Sequence, residues 1–95
     1  MKLSDEQLRE VEEMSAALLP PSEIAILIDL PADERDQFVE ECKTHTASEV
    51  YRAYQKGRLK TKYELRRTVI RLAKAGSPAA EPLADKYLKE QLSKE

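Results

Sequence analysis

Between Arg52 and Lys74 the chain carries nine Lys/Arg side chains against a single acid, Glu64. Wound into one helix at 100° per residue, Arg52, Lys56, Lys60, Arg67, Arg71 and Lys74 fall within about 100° of arc. At 1.5 Å per residue this stripe spans roughly 33 Å, about one turn of duplex DNA. The chemistry open to it is ionic: ammonium and guanidinium groups neutralise phosphates and release counterions without reading base edges. These six are the candidate DNA-binding residues. Two other uses of the same stripe stand beside this one. It can be a solvated face whose long stems lie over apolar neighbours, or a surface matched to the acidic half of a second copy.

Bond-making chemistry finds little footing. His45 is the only histidine and Cys42 the only cysteine, so Cys42-x-x-His45 offers two ligands where a structural zinc takes four. With only two glycines, Gly57 and Gly76, there is no phosphate-cradling loop. The carboxylates read as solvated helix faces, and Tyr51, Tyr54, Tyr63 and Tyr87 as core or interface anchors. The expectation is a protein that is not an enzyme, with no catalytic residue, no metal site and no cofactor.

The net charge of −2 hides a strong asymmetry. Residues 1–42 hold three Lys/Arg against twelve Asp/Glu, a balance of −9, and residues 43–95 hold thirteen against six, a balance of +7. Such a dipole points to a polyanion at the basic end or to an acidic partner, including another copy of the chain. At 95 residues the chain is one helical domain, with an acidic part, 1–42, and a basic part, 43–95. It is near the size at which a single core becomes marginal, so self-association would help. The N-terminus turns polar at once and the longest apolar run is Ile24 to Ile28, so no signal peptide or membrane span is expected. One unpaired cysteine agrees with a cytoplasmic location.

The elements that must position these groups are all helices. Ser4 and Gln7 form a capping box with Leu3 and Leu8 as its staple, which predicts a helix from Asp5 to about Leu19 with Leu8, Val11, Met14 and Leu18 on its apolar stripe. Pro20-Pro21 introduces a second helix, Ser22 to Asp29, apolar on nearly all sides and so expected to be enclosed. Asp29-Leu30-Pro31 is a turn, followed by a third helix, Ala32 to Cys42, with Phe38, Val39 and Cys42 inward. Thr46 and Glu49 predict a helix opening at Ala47. The apolar stripe of Tyr51, Tyr54, Leu65, Val69, Leu72 and Ala73 keeps phase across Gly57, which favours one helix to Ala75; a fresh start capped by Thr61 is the alternative. Gly76 stops it, Ser77 caps a last helix with Pro78 first, and Ala80, Leu83, Ala84, Tyr87 and Leu88 fold back as a hairpin. The fold class is therefore all-α: a helix-turn-helix-like N-terminal bundle, a long basic helix and a C-terminal helical hairpin. Ile24, Ala25, Ile28, Leu30, Phe38, Val69 and Leu72 are expected to be buried.

Pro21 to Cys42 has helix-turn-helix proportions, but the position of its recognition helix carries Asp33, Glu34, Asp36, Glu40 and Glu41 against Arg35 alone. Carboxylates repel phosphate, so this element is read as a scaffold or protein contact and not as the DNA reader. Glu23-Ile24-Ala25 in a short helix, Tyr51 to Arg58, Glu64-Leu65-Arg66-Arg67 and the run Leu72-Ala73-Lys74-Ala75-Gly76-Ser77 together resemble the phage terminase small subunits over roughly residues 20–90. The resemblance implies a prophage or mobile-element protein that binds double-stranded DNA, forms homo-oligomers and hands DNA to a large terminase subunit. The acidic third helix departs from that family's reading helix. The alternative is a small helical structural or adaptor protein that contacts only protein.

Overall fold

Three helix ends in this chain close in the same way, and they set the path of the backbone. The computed structural model describes residues 1–44 and 46–95. Among them are five helices and no strand: α1 Asp5–Ala16, α2 Pro21–Leu27, α3 Ala32–Thr44, α4 Glu49–Lys74 and α5 Glu81–Lys94. After α1, α2 and α4 the chain steps into the left-handed region at Leu18 (φ 66°), Asp29 (φ 60°) and Gly76 (φ 92°). Each step closes a pair of backbone bonds that satisfies otherwise orphaned carbonyls, as in Leu19 N–H to Met14 O, Leu30 N–H to Ala25 O and Ser77 N–H to Leu72 O. Asp and Gly suit that geometry; Leu18 adopts it in spite of its Cβ, and α1 stops at Ala16, short of the expected Leu19. Leu18 then points outward, off the stripe predicted for it, and Leu19 packs toward the core beside Met14.

The chain divides into two compact units, Met1–Thr61 and Lys62–Glu95, and α4 contributes to both. The core of the first unit is built from Leu3, Val11, Ile24, Ala25, Ile28, Leu30, Phe38, Cys42 and Val50, with Leu8 and Tyr54 packed against it. Ser4 and Gln7 make the expected capping box, each side chain holding the other's backbone N–H at 3.1 and 3.0 Å. Burial pushes the Cys42 thiol up to about 12, which leaves it a packing group and not a nucleophile. The expectation of an enclosed α2 is corrected: Ile26 and Leu27 are 54% and 53% exposed, because α1 and α3 cover only the side of Ile24, Ala25 and Ile28.

One carboxylate lies inside this unit. Glu41, 5% exposed, accepts hydrogen bonds from Ser48 Oγ at 2.9 Å and Gln37 Nε2 at 3.1 Å, and its other close partner is the Met1 α-ammonium at 3.0 Å. The Ser48 hydroxyl also accepts the Val50 N–H at 3.1 Å, so α4 is capped by Ser48 and starts at Glu49, not at the Ala47 predicted from Thr46. His45, and with it the Cys42-x-x-His45 pair, lies outside the described residues.

Burial alone would push the Glu41 carboxyl up, but the bonds from the Met1 amine, Ser48 and Gln37 outweigh it and hold the group below the ordinary carboxylate range. The folded state therefore binds this proton less tightly than the unfolded chain. Its stabilisation is complete above the unfolded-state value, roughly 4.3, and is lost as the pH falls through the lower folded-state value. The melting temperature is expected to decline as the pH falls below about 5, with Glu41→Gln less stable at neutral pH by about 1–3 kcal/mol and flatter in acid. Parallel acid profiles for the two proteins would show that Glu41 is not the group responsible.

In the second unit the end of α4 and α5 form a hairpin. Arg66 on α4 ties to α5, its guanidinium 4.1 Å from the Tyr87 ring centroid and bonded to Glu90 at 2.8 Å, and Ile70, Ala73 and Ala84 line one cavity. That ion pair holds the Glu90 carboxyl below its ordinary range. The predicted stripes are met in part: Tyr51, Tyr54, Val69 and Ala73 on α4 are half-buried and Ala80, Ala84 and Tyr87 are buried or half-buried, but Leu65 and Leu72 on α4 and Leu83 and Leu88 on α5 are exposed. α5 begins at Glu81 and not at Pro78, because a helix from Pro78 would place Pro82 against the carbonyl of residue 78, whereas at the second helical position its missing N–H costs nothing.

Candidate nucleic-acid interface

The six cations chosen from sequence all lie on α4, and the two units treat them differently. In the first unit α1 crosses α4 at Gly57. A Cβ on Gly57 would lie 2.1 Å from the Glu12 carbonyl oxygen and 2.9 Å from Ser15 Cβ, so only glycine admits the α1 backbone there. The Ser15 hydroxyl donates to the Tyr54 carbonyl and the Thr61 hydroxyl to the Ala16 carbonyl, one on each side of the contact. Gly57 therefore does not break α4, which runs unbroken from Glu49 to Lys74; it marks a helix crossing.

That crossing sets the Glu12 carboxylate on the basic residues. Lys60 Nζ lies 2.8 Å from Glu12 Oε2 and Lys56 Nζ 3.9 Å from Oε1. The hydrogen bond from Lys60, with the nearby charge of Lys56, holds the Glu12 carboxyl below its ordinary range against a smaller opposing effect of burial. Two of the six predicted cations are thus already matched to an anion. Arg52 is exposed and makes no ion pair among the described residues.

In the second unit Arg67, Arg71 and Lys74 stand at i, i+4 and i+7 on one face of α4, exposed, with no ion pair among the described residues. Arg67 and Arg71 line two shallow cavities. One, of about 250 Å³, is shared with Glu64 and Thr68, and the other, of about 330 Å³, with Ile70 and Lys74. The hydroxyl of Thr68 donates to the Glu64 carbonyl at 3.1 Å, so the polar groups of this face other than the cations are already engaged or acidic. Arg66, next in sequence to Arg67, is withdrawn from solvent chemistry by Tyr87 and Glu90. Neighbouring arginines thus divide into one that ties the hairpin and one that is presented outward.

The helix-turn-helix face is arranged otherwise. On α3, Asp33, Glu34, Asp36 and Glu40 are exposed, and Arg35 Nε donates to the Leu30 carbonyl at 3.1 Å, which engages it in closing the turn. The basic residue left on α3 is Lys43, in its last turn. Sequence reasoning missed Glu12, and the signal that could have found it was Gly57: a glycine inside an otherwise strong helix marks a place where another backbone comes close.

Among the described residues no group of three or more His, Cys, Asp and Glu could hold a metal ion, and no helix is long and apolar enough to cross a membrane. Comparison with protein-family models, with curated proteins and with solved structures finds no match to the chain.

Proposed function

We propose that the protein is a non-enzymatic, oligomeric DNA-binding protein of the phage terminase small-subunit kind, which grips duplex phosphates and passes DNA to a large packaging subunit. The observation that carries the proposal is the exposed set Arg67, Arg71 and Lys74, three cations on one helix face without ion pairs among the described residues. A guanidinium fork fits phosphate oxygens in pairs, and the ammonium of Lys74 adds a point charge; contacts of this kind to phosphate do not distinguish one base from another. Arg52 supplies a further exposed cation in the first unit. The acidic outer face of α3 favours keeping duplex away from the helix-turn-helix, whose role is then packing or protein contact.

Self-association has its own support. The second unit is a hairpin of thirty-four residues whose one buried apolar side chain is Ala80, while Tyr63, Leu65, Leu72, Leu83, Leu88 and Leu92 are exposed. A piece below about 40 residues rarely holds itself together without help from another chain, a metal or a disulfide. The second reading, an adaptor that contacts only protein, draws on exposed Ile26 and Leu27 above an acidic α3.

Titration of a labelled duplex against salt, with mass measured by sedimentation equilibrium, tests the proposal. Three to four phosphate contacts give a slope of log K against log salt of about −3, and the protein should sediment as more than a monomer at low salt. Absence of salt-sensitive binding would leave the adaptor reading in its place.

A further inference from the structure

The Glu12 carboxylate lies beside two ammonium groups of the proposed phosphate-binding stripe, and the backbone that carries it is packed against α4. Its own carbonyl oxygen occupies the space a side chain at position 57 would fill, so the α1 backbone at Glu12 lies directly against α4. From that anchored position the side chain reaches Lys60 at 2.8 Å and Lys56 at 3.9 Å. Arg52, Lys56 and Lys60 stand at i, i+4 and i+8, so neighbours along one face differ only in whether an acid is matched to them. Carboxylate and phosphate are both oxyanions, and they compete for the same donors.

We propose that Glu12 is an intramolecular stand-in for a phosphate that keeps Lys56 and Lys60 out of DNA binding and so limits how many phosphates the protein can grip. This rests on the phosphate-binding reading above. Neutralising Glu12 releases a second pair of phosphate ligands beside Arg52. Glu13, the next residue on α1, is exposed and makes no ion pair among the described residues, so it offers the same change of charge without the contact.

The experiment compares wild type, Glu12→Gln and Glu13→Gln in duplex titrations across a range of salt, using a labelled duplex of about two helical turns. Glu12→Gln is expected to bind at least about fivefold more tightly at low salt, with a slope steeper by up to about 1.8, the release of two contacts at 0.9 each. Glu13→Gln is expected to change the slope little. Adding Lys56→Met and Lys60→Met to Glu12→Gln should remove the gain. Because the Glu12 pairs are half-exposed, the substitution should leave melting nearly unchanged. Should it melt early, Glu12→Asp, which keeps the charge but shortens the reach, serves instead and should also steepen the slope. Equal gains from Glu12→Gln and Glu13→Gln, or an unchanged slope, overturn the inference while wild-type binding still upholds the phosphate reading. Absence of binding by wild type and variants alike overturns both.

Discussion

Gly57→Ala is expected to lower the melting temperature by more than about 10 °C, although the substitution puts the best helix former in place of one of the worst. In an isolated helix the change would gain about 1 kcal/mol. Here the new Cβ would lie 2.1 Å from the Glu12 carbonyl oxygen and 3.0 Å from the Ala16 nitrogen, both backbone atoms that no rotamer change can move. α1 must shift away from α4. In doing so it weakens the bonds from Ser15 to the Tyr54 carbonyl and from Thr61 to the Ala16 carbonyl, and Ser15 is buried. Overpacking costs about 1–3 kcal/mol, and a buried hydroxyl left without its partner a further 1–3 kcal/mol or so. The sum exceeds the propensity gain and is a large share of the roughly 5–15 kcal/mol that holds a small domain together. Thermal unfolding followed by far-UV circular dichroism measures the shift. An unchanged or raised melting temperature would mean that α1 does not rest on α4 at this point.

What could be read from the sequence, and what could not, divides by the range of the interaction involved. The capping box at Ser4, the left-handed Asp29 and the stop at Gly76 depend on a few adjacent residues, and each is where the chain predicts it. The five N-terminal core residues that the pattern predicts, Ile24, Ala25, Ile28, Leu30 and Phe38, are buried because a short apolar helix before an amphipathic one has few ways to pack. Periodicity puts Leu18 on the stripe, but it does not register that α1 ends two residues earlier, at Ala16, and that Leu18 is itself the left-handed step. Leu72 is exposed for a related reason: it lies at one edge of the predicted arc and Ala73 at the other, and which edge is covered is decided by α5, where Arg66 lies over Tyr87. The Ser48 cap depends on Glu41, seven residues away and inside the core. The candidate site shows the same pattern, since the row of cations is a local property of α4, whereas the hold of Glu12 on Lys60 joins residues 48 apart. Helical spacing says which side chains share a face, not which of them already have a partner.

Duplex binding through α4 is the central claim, and it separates cleanly from binding through the helix-turn-helix. Replacing Arg67 and Arg71 together by Glu would remove the two proposed phosphate contacts and set two carboxylates on the same face, next to Glu64. The salt slope should become shallower by about 1.8, and affinity at low salt should fall by at least about a hundredfold. Both residues are exposed and outside the hairpin contacts of Arg66, so the helical content and melting temperature should stay near those of wild type. Arg35→Ala should leave binding nearly intact, because Arg35 is engaged with the Leu30 carbonyl and is surrounded in sequence by Asp33, Glu34 and Asp36. The most direct measurement is therefore the affinity of one labelled duplex for wild type, for Arg67→Glu with Arg71→Glu, and for Arg35→Ala, each at two salt concentrations. The expected result is loss of binding in the double variant alone; loss with Arg35→Ala and retention in the double variant would contradict the account and make the helix-turn-helix the reader.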